Sequence, residues 1–247
     1  MSETTPVSQA SNRSAVTITY PSRPVASFSD QVKAIARKDL TAEFRTREVL
    51  AVTIPFGAVA LLLVPLAVGT DTPLLQRIGT GMFWVVVAVF GVMVGMRRSG
   101  SDEGAPADAL LLLGSDPAAV MTGHTLATTG LLLVFELLLL PVSIALYQPR
   151  IRGWWWLVPL LVLVAIGLGQ LATLAGAVTA SASVSTALVP LLVIPLAVPL
   201  LLAASQSMER LRQGSSIIGW LAVLLSTNLL LAITSVLAAR PLRESPQ

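Results

Sequence analysis

Six apolar runs dominate this chain, each long enough to cross a bilayer: residues 48–69, 74–96, 119–147, 154–178, 184–205 and 216–238. A hydrocarbon core about 30 Å thick takes roughly 20 residues of helix, and six such stretches in 247 residues leave little chain for anything else. Backbone groups in that core cannot turn to water, so the runs must be helices, and the short connections between them enforce one compact bundle. Composition agrees, with 54% of residues hydrophobic and only 12% charged. The expectation is an all-α integral membrane protein with a six-transmembrane-helix domain over 48–238.

Lys and Arg placement orients it. With both termini in the cytoplasm, Arg13, Arg23, Lys33, Arg37, Lys38, Arg45, Arg47, Arg97, Arg98, Arg240 and Arg243 lie inside, and Arg77, Arg150, Arg152, Arg210 and Arg212 lie outside. That asymmetry favours N-in, C-in. The formal charge of +3 needs no nucleic acid, since a basic cytoplasmic rim facing anionic lipid accounts for it. Cysteine is absent, which removes disulfides, thiolate chemistry, iron–sulfur ligation and covalent haem attachment through a CxxCH box.

Residues 1–27 are rich in Ser, Thr and Pro, cannot offset the entropy of ordering, and read as a disordered cytoplasmic tail. They lack the apolar core of a secretory signal, so no cleavage is expected. From 28 to 47 the pattern is helical but too charged to span. Phe28, Val32, Ile35, Ala36 and Leu40 share one face, as expected of an interfacial amphipathic helix on the cytoplasmic surface. Asp39 and Glu43 fall near that apolar stripe and want partners. Either they pair locally, as Glu43 with Arg47 would at i,i+4, or they contact another subunit or the inner ends of the membrane helices.

The cytoplasmic loop over 97–117, RRSGSDEGAPADALLLLGSDP, joins a basic start to Asp102, Glu103, Asp108 and Asp116 and to a Leu110–Leu113 block bounded by Gly and Pro. The leucines either begin the third membrane helix or, because Gly114, Asp116 and Pro117 interrupt the run, form a short helix that docks in a partner's groove. The fifth span carries Pro190, Pro195 and Pro199, each freeing a carbonyl one turn back, and is expected to bend. Gly81, Gly91, Gly95, Gly167 and Gly169 are packing residues. Residues 239–247 form a cytoplasmic tail.

Glu136 sits mid-span, where burying its charge costs at least about 2.5 kcal/mol, so it must face the bundle or be neutral. It is either functional or hydrogen-bonded to Gln170, Asn228 or a proline-freed carbonyl. His124 reads as a polar anchor rather than a haem ligand, and Trp154-Trp155-Trp156 as an interfacial belt. There is no phosphate-cradling GxxxxGK[ST] loop, no HExxH, and no His beside a plausible nucleophile, so neither a catalytic residue nor a metal site is expected. Any ATP must be bound by another polypeptide.

Together, KDLTAEFRTRE, LLQRIGTGMFWV, the acidic EG with its leucine block, ELLLLP and LVPLLVIPLAVP resemble the CcmB family. These are permeases of the ABC-2 type, the haem-exporter B subunits of cytochrome c maturation. The likeness runs from about Lys38 to Met208 and falls on Lys38, Asp39, Leu40, Glu43, Arg77, Gly81, Trp84, Glu103, Gly104, Glu136, Pro141, Pro190, Pro195 and Pro199. It implies a multi-pass subunit of the bacterial inner membrane, acting as a homodimer with an ABC ATPase, a haem-handling membrane subunit and a haem chaperone. ATP would bind the partner, haem would be handled by the complex, and no cofactor would bind this chain directly. Asp102, Glu103, Gly104, Asp108, Leu110 and Leu113 would couple to the ATPase, with Lys38, Asp39, Glu43 and Arg45 on the interfacial helix. Trp84, Glu136, Pro190, Pro195 and Pro199 would be the functional candidates in the membrane. The chain departs from the family pattern in a shorter loop without the usual aromatic, in His124 where a basic residue is usual, and in its extra N-terminal tail. A general ABC-2 exporter of a lipid, polysaccharide or drug, or a membrane scaffold that uses no ATP, are the other readings.

Overall fold

The computed structural model describes residues 27–46, 48–69, 71–101, 116–181 and 189–239. Its regular elements are helical: α1 (Phe28–Thr46), α2 (Glu48–Val68), α3 (Thr72–Ser101), α4 (Pro117–Tyr147), a 3-10 turn over Trp154–Trp156 leading into α5 (Leu157–Ser181), α6 (Val189–Gln213) and α7 (Ile218–Ala239). Among the described residues five helices are long and apolar enough to cross a membrane, namely α2, α3, α4, α5 with its preceding turn, and α7. The chain is a multi-pass membrane protein. A further 25-residue helix, α6, packs into the same bundle against α3, α5 and α7.

The helix ends follow from local chemistry. Asp116 caps α4, its carboxylate accepting from the Ala118 N–H at 2.9 Å, with Pro117 in the first turn where its missing N–H costs nothing. α4 therefore starts after the leucine block, which itself lies outside the described residues. At the far end Gln148 turns left-handed at φ 44° and returns its N–H to Ile144, and Pro149 prevents continuation. α6 stops in a Schellman motif: Gly214, at φ 72°, donates to Leu211, and Ser215 donates to Arg210. Pro195 and Pro199 lie within α6, and Pro190 is its second described residue. The carbonyl one turn before Pro190 lies outside the described residues.

Between apolar spans in lipid there is no hydrophobic drive to associate, so close packing has to hold them. Glycine notches supply it. α5 occupies the centre, touching α3, α4, α6 and α7. A Cβ at Gly167 would run into the Leu200 side chain of α6, and one at Gly169 into the Thr129 hydroxyl of α4. At Gly79 it would run into the Tyr147 ring, and at Gly91 it would lie 2.9 Å from Leu132. Gly81 is different, with Ser205 Oγ as its nearest neighbour at 3.6 Å. Alanine would fit there, so the expected packing role does not hold for Gly81. The side-chain surroundings of Gly95 lie outside the described residues.

Candidate functional site

α4 is 31 residues long, about 46 Å at 1.5 Å per residue and well beyond a core of roughly 30 Å. α2 runs along its second half, where a Cβ on Gly57 would touch Phe135 and Leu139. α1 runs along its first half. The Gln31 side-chain oxygen accepts from the Asp116 N–H at 3.0 Å, at the first turn of α4. Ile35 fills the notch at Gly123, where a Cβ would sit 2.8 Å from it. Asp39 Oδ2 lies 2.7 Å from His124 Nδ1, and Leu40 packs over Gly130. Ala36 and Ala119 are buried alongside.

The apolar stripe of α1 is thus spent on protein. Val32, Ile35 and Ala36 are buried, as are Asp39 and Glu43 on the same face, while Lys38 and Arg45 are exposed. Of the two accounts of the α1 carboxylates, Asp39 meets the second: it reaches a membrane helix. The Arg47 side chain lies outside the described residues. The enabling signal was present in the sequence, since Ala119, Gly123 and Ala127 recur at four-residue spacing and leave a shallow groove along α4.

A second stripe of α4 faces α5 and α3. Thr125 Oγ1 lies 2.9 Å from Thr173 Oγ1, Thr129 packs on Gly169, and Leu132 packs on Gly91. The next position at this spacing is Glu136, fully buried, and neither of its carboxyl oxygens has a hydrogen-bond partner among the described residues. The proposed bonds to Gln170 and Asn228 are not formed. Asn228 Nδ2 instead donates to Leu163 and Leu224 carbonyls at 3.0 and 2.8 Å. On α3, Trp84 is buried edge-on to Phe83 at 5.0 Å, and its Nε1 is also without a partner. Gly91–Leu132 and Gly79–Tyr147 set α3 antiparallel to α4, which puts Trp84 about one helical turn in depth from Glu136.

Near the first turns of α4, a cleft of roughly 90 Å³ opens between α4, α5 and α7, lined in part by Thr122, Thr125, Gln170 and Ser235. Gln170 Oε1 and Ser235 Oγ are buried without hydrogen-bond partners among the described residues.

The coupling candidates Asp102, Glu103, Gly104, Asp108, Leu110 and Leu113 lie outside the described residues, as do the side-chain surroundings of Pro190. What the structure brings together is the helix after that loop, α4, with the helix before the bundle, α1. Gln31, Gly123 and Tyr147 join the site without having been singled out from sequence. Among the described residues no group of three His, Cys, Asp or Glu side chains is arranged to hold a metal.

A family model described as CcmB protein matches residues 30–244. The chain belongs to the CcmB family. The match takes in α1 and every helix of the bundle. Proteins named Heme exporter protein B are similar to this CcmB chain in three bacteria. That of Pseudomonas aeruginosa is 31% identical over 82% of this chain and 92% of its own. The Rhodobacter capsulatus protein is 30% identical over 75% and 86%, and the Haemophilus influenzae protein 29% over 71% and 80%.

Proposed function

We propose that this chain is the transmembrane permease subunit of an ABC transporter complex for cytochrome c maturation. ATP hydrolysis on a separate subunit would drive haem delivery or the release of a haem-loaded chaperone. The observation that carries this reading is the family match across nearly the whole chain, together with relatives named Heme exporter protein B. In this reading the chain has no catalytic residue of its own, and haem and ATP belong to its partners. It works as a homodimer in the bacterial inner membrane, with a haem-handling membrane subunit alongside.

We further infer six crossings, with α6 as the fifth and both termini cytoplasmic. The apolar opening of α6 supports this, as does the charge excess at the end bearing α1. The interfacial-helix reading of α1 then becomes more specific. It lies on the cytoplasmic side, braced along the projecting half of α4, and any lipid contact falls to its exposed Phe28 and Phe44. The loop over 102–117 leads directly into the Asp116 cap, so displacement of that loop by the ATPase is delivered to α4 and α1 together. Glu136 and Trp84, buried deeper on the same bundle, are the groups a shift of α4 against α3 and α5 would re-expose or re-pair.

Haem-stained gels of c-type cytochromes test the assignment in a strain lacking the gene, with and without its restoration. Loss of c-type cytochromes that returns on complementation, with b-type cytochromes unaffected, is expected. Normal c-type cytochromes in the deletion strain would sink it and leave export of a lipid, polysaccharide or drug as the next reading.

A further inference from the structure

The end of the bundle opposite α1 carries an arrangement that permease function does not require. Arg77 in the first turns of α3, Arg150 and Arg152 between α4 and the 3-10 turn, and Arg210 and Arg212 at the end of α6 all gather there. Arg152 is tied to the end of α6 by backbone. The Arg152 N–H donates to the Leu211 carbonyl at 3.2 Å, and the Arg152 side chain lies across Gly214, whose Cβ position is 3.1 Å from Arg152 Cδ. The charge of Arg77 reaches Glu209. Against five guanidiniums the described residues at this end set two carboxylates, Asp71 and Glu209, and Glu209 is already held in a fork by Arg212 at 2.8 and 2.6 Å. Arg77, Arg150, Arg152 and Arg210 are exposed and make no side-chain ion pair among the described residues.

Two observations say what such a rim meets. Trp154 and Trp155 are 72% and 63% exposed, immediately before the apolar α5. Indole rings at that position settle at the headgroup level of a bilayer, which fixes Arg150 and Arg152, a few residues away, at the depth of the lipid phosphates. In addition, every basic residue of the rim is arginine, although lysine occurs at the α1 end. The planar guanidinium fork matches two phosphate oxygens at once, where an ammonium offers a point charge.

We infer that this rim is a binding surface for anionic phospholipid headgroups, with Arg150, Arg152 and Arg210 gripping phosphates and Trp154 and Trp155 setting the depth. The last turn of α6 supplies a dipole end for its arginines, which explains Arg210 and Arg212 as helix stabilisers. It does not explain Arg150, Arg152 or the exposed indoles. The inference stands on this end of the molecule alone and is independent of the transport assignment.

Electron spin resonance of the full chain in vesicles tests it, using spin-labelled phosphatidylglycerol and phosphatidylcholine to compare the motionally restricted lipid. The wild type is expected to prefer phosphatidylglycerol, a preference that fades with salt. The triple variant Arg150→Gln, Arg152→Gln, Arg210→Gln should lose about half of it or more, the remainder coming from the basic α1 end. Lysine at the same three positions keeps the charge but not the fork, so it should retain part of the preference, more than glutamine does, and serves as the folding control. An unchanged preference in the glutamine variant overturns the inference, and so does equal loss in both variants. Loss of a co-purifying protein from the glutamine variant, with lipid preference intact, also overturns it and assigns the rim to an acidic protein surface.

Discussion

Tyr147 repairs what Pro65 breaks. A proline inside α2 has no N–H for the carbonyl one turn back, and that carbonyl belongs to Leu61. In lipid it would stay unsatisfied, but the Tyr147 hydroxyl donates to it at 2.7 Å from the end of α4. Tyr147→Phe should therefore cost about 1–3 kcal/mol, the penalty of a stranded buried acceptor. Pro65→Ala restores the helical N–H, so the double variant should recover much of that loss in a double-mutant cycle read by thermal unfolding in detergent. Additive losses would mean the two residues are not coupled. At the opposite rim the hydrogen bond from Arg212 holds the Glu209 carboxyl below the usual range, with Gln213 and Arg77 adding to it and burial opposing. A depressed pKa contributes stability above the unfolded value, near about 4.3, and loses it as pH falls through the folded one. The melting-temperature gap between wild type and Glu209→Gln should be open at neutral pH and close on acidification. A gap independent of pH would remove the charge from the explanation.

As an element, α1 behaves as a rider on α4. Four contacts fasten it, from Gln31 at the Asp116 cap through Ile35 in the Gly123 notch and Asp39 at His124 to Leu40 over Gly130. The chain has no native cysteine, so a cysteine pair at Ile35 and Gly123 reports on this junction alone. Ile35→Cys with Gly123→Cys should form a disulfide on mild oxidation, since their Cβ positions approach more closely than the roughly 3.8 Å a disulfide spans and need only a small outward shift. Adding His124→Ala should slow its formation; no cross-link in this pair, together with unchanged thermal stability of Gly123→Ala, would refute the docking of α1. The same junction shows the limit of reading elements from sequence. The helical pattern from Phe28, its apolar stripe and the Asp116-Pro117 start of α4 are local, set by propensity and capping within one or two turns. That Asp39 belongs to His124, 85 residues away, is not local, and the amphipathic stripe alone fitted a lipid surface equally well.

At the scale of the molecule, the proposed coupling predicts that charge reversal at Asp102 and Glu103 leaves insertion intact while c-type cytochrome assembly falls and ATP hydrolysis by the partner continues. Unchanged assembly would remove these residues from the coupling path. The oxidised Ile35–Gly123 cross-link should be tolerated in the same assay if α1 and α4 move as one body, and should arrest it if they must part. The helical class and the membrane location were determined by the sequence itself, because lipid leaves an apolar run of this length one way to satisfy its backbone. Which helix lies at the centre was decided only in three dimensions. The central helix α5 is no more hydrophobic than α2 or α4, and lipid does not discriminate among apolar faces. Depth in the bundle was settled instead by where Gly167, Gly169, Gly79 and Gly91 admit a neighbour, and by which distant side chain reaches an unsatisfied group, as Tyr147 reaches Leu61 across 86 residues.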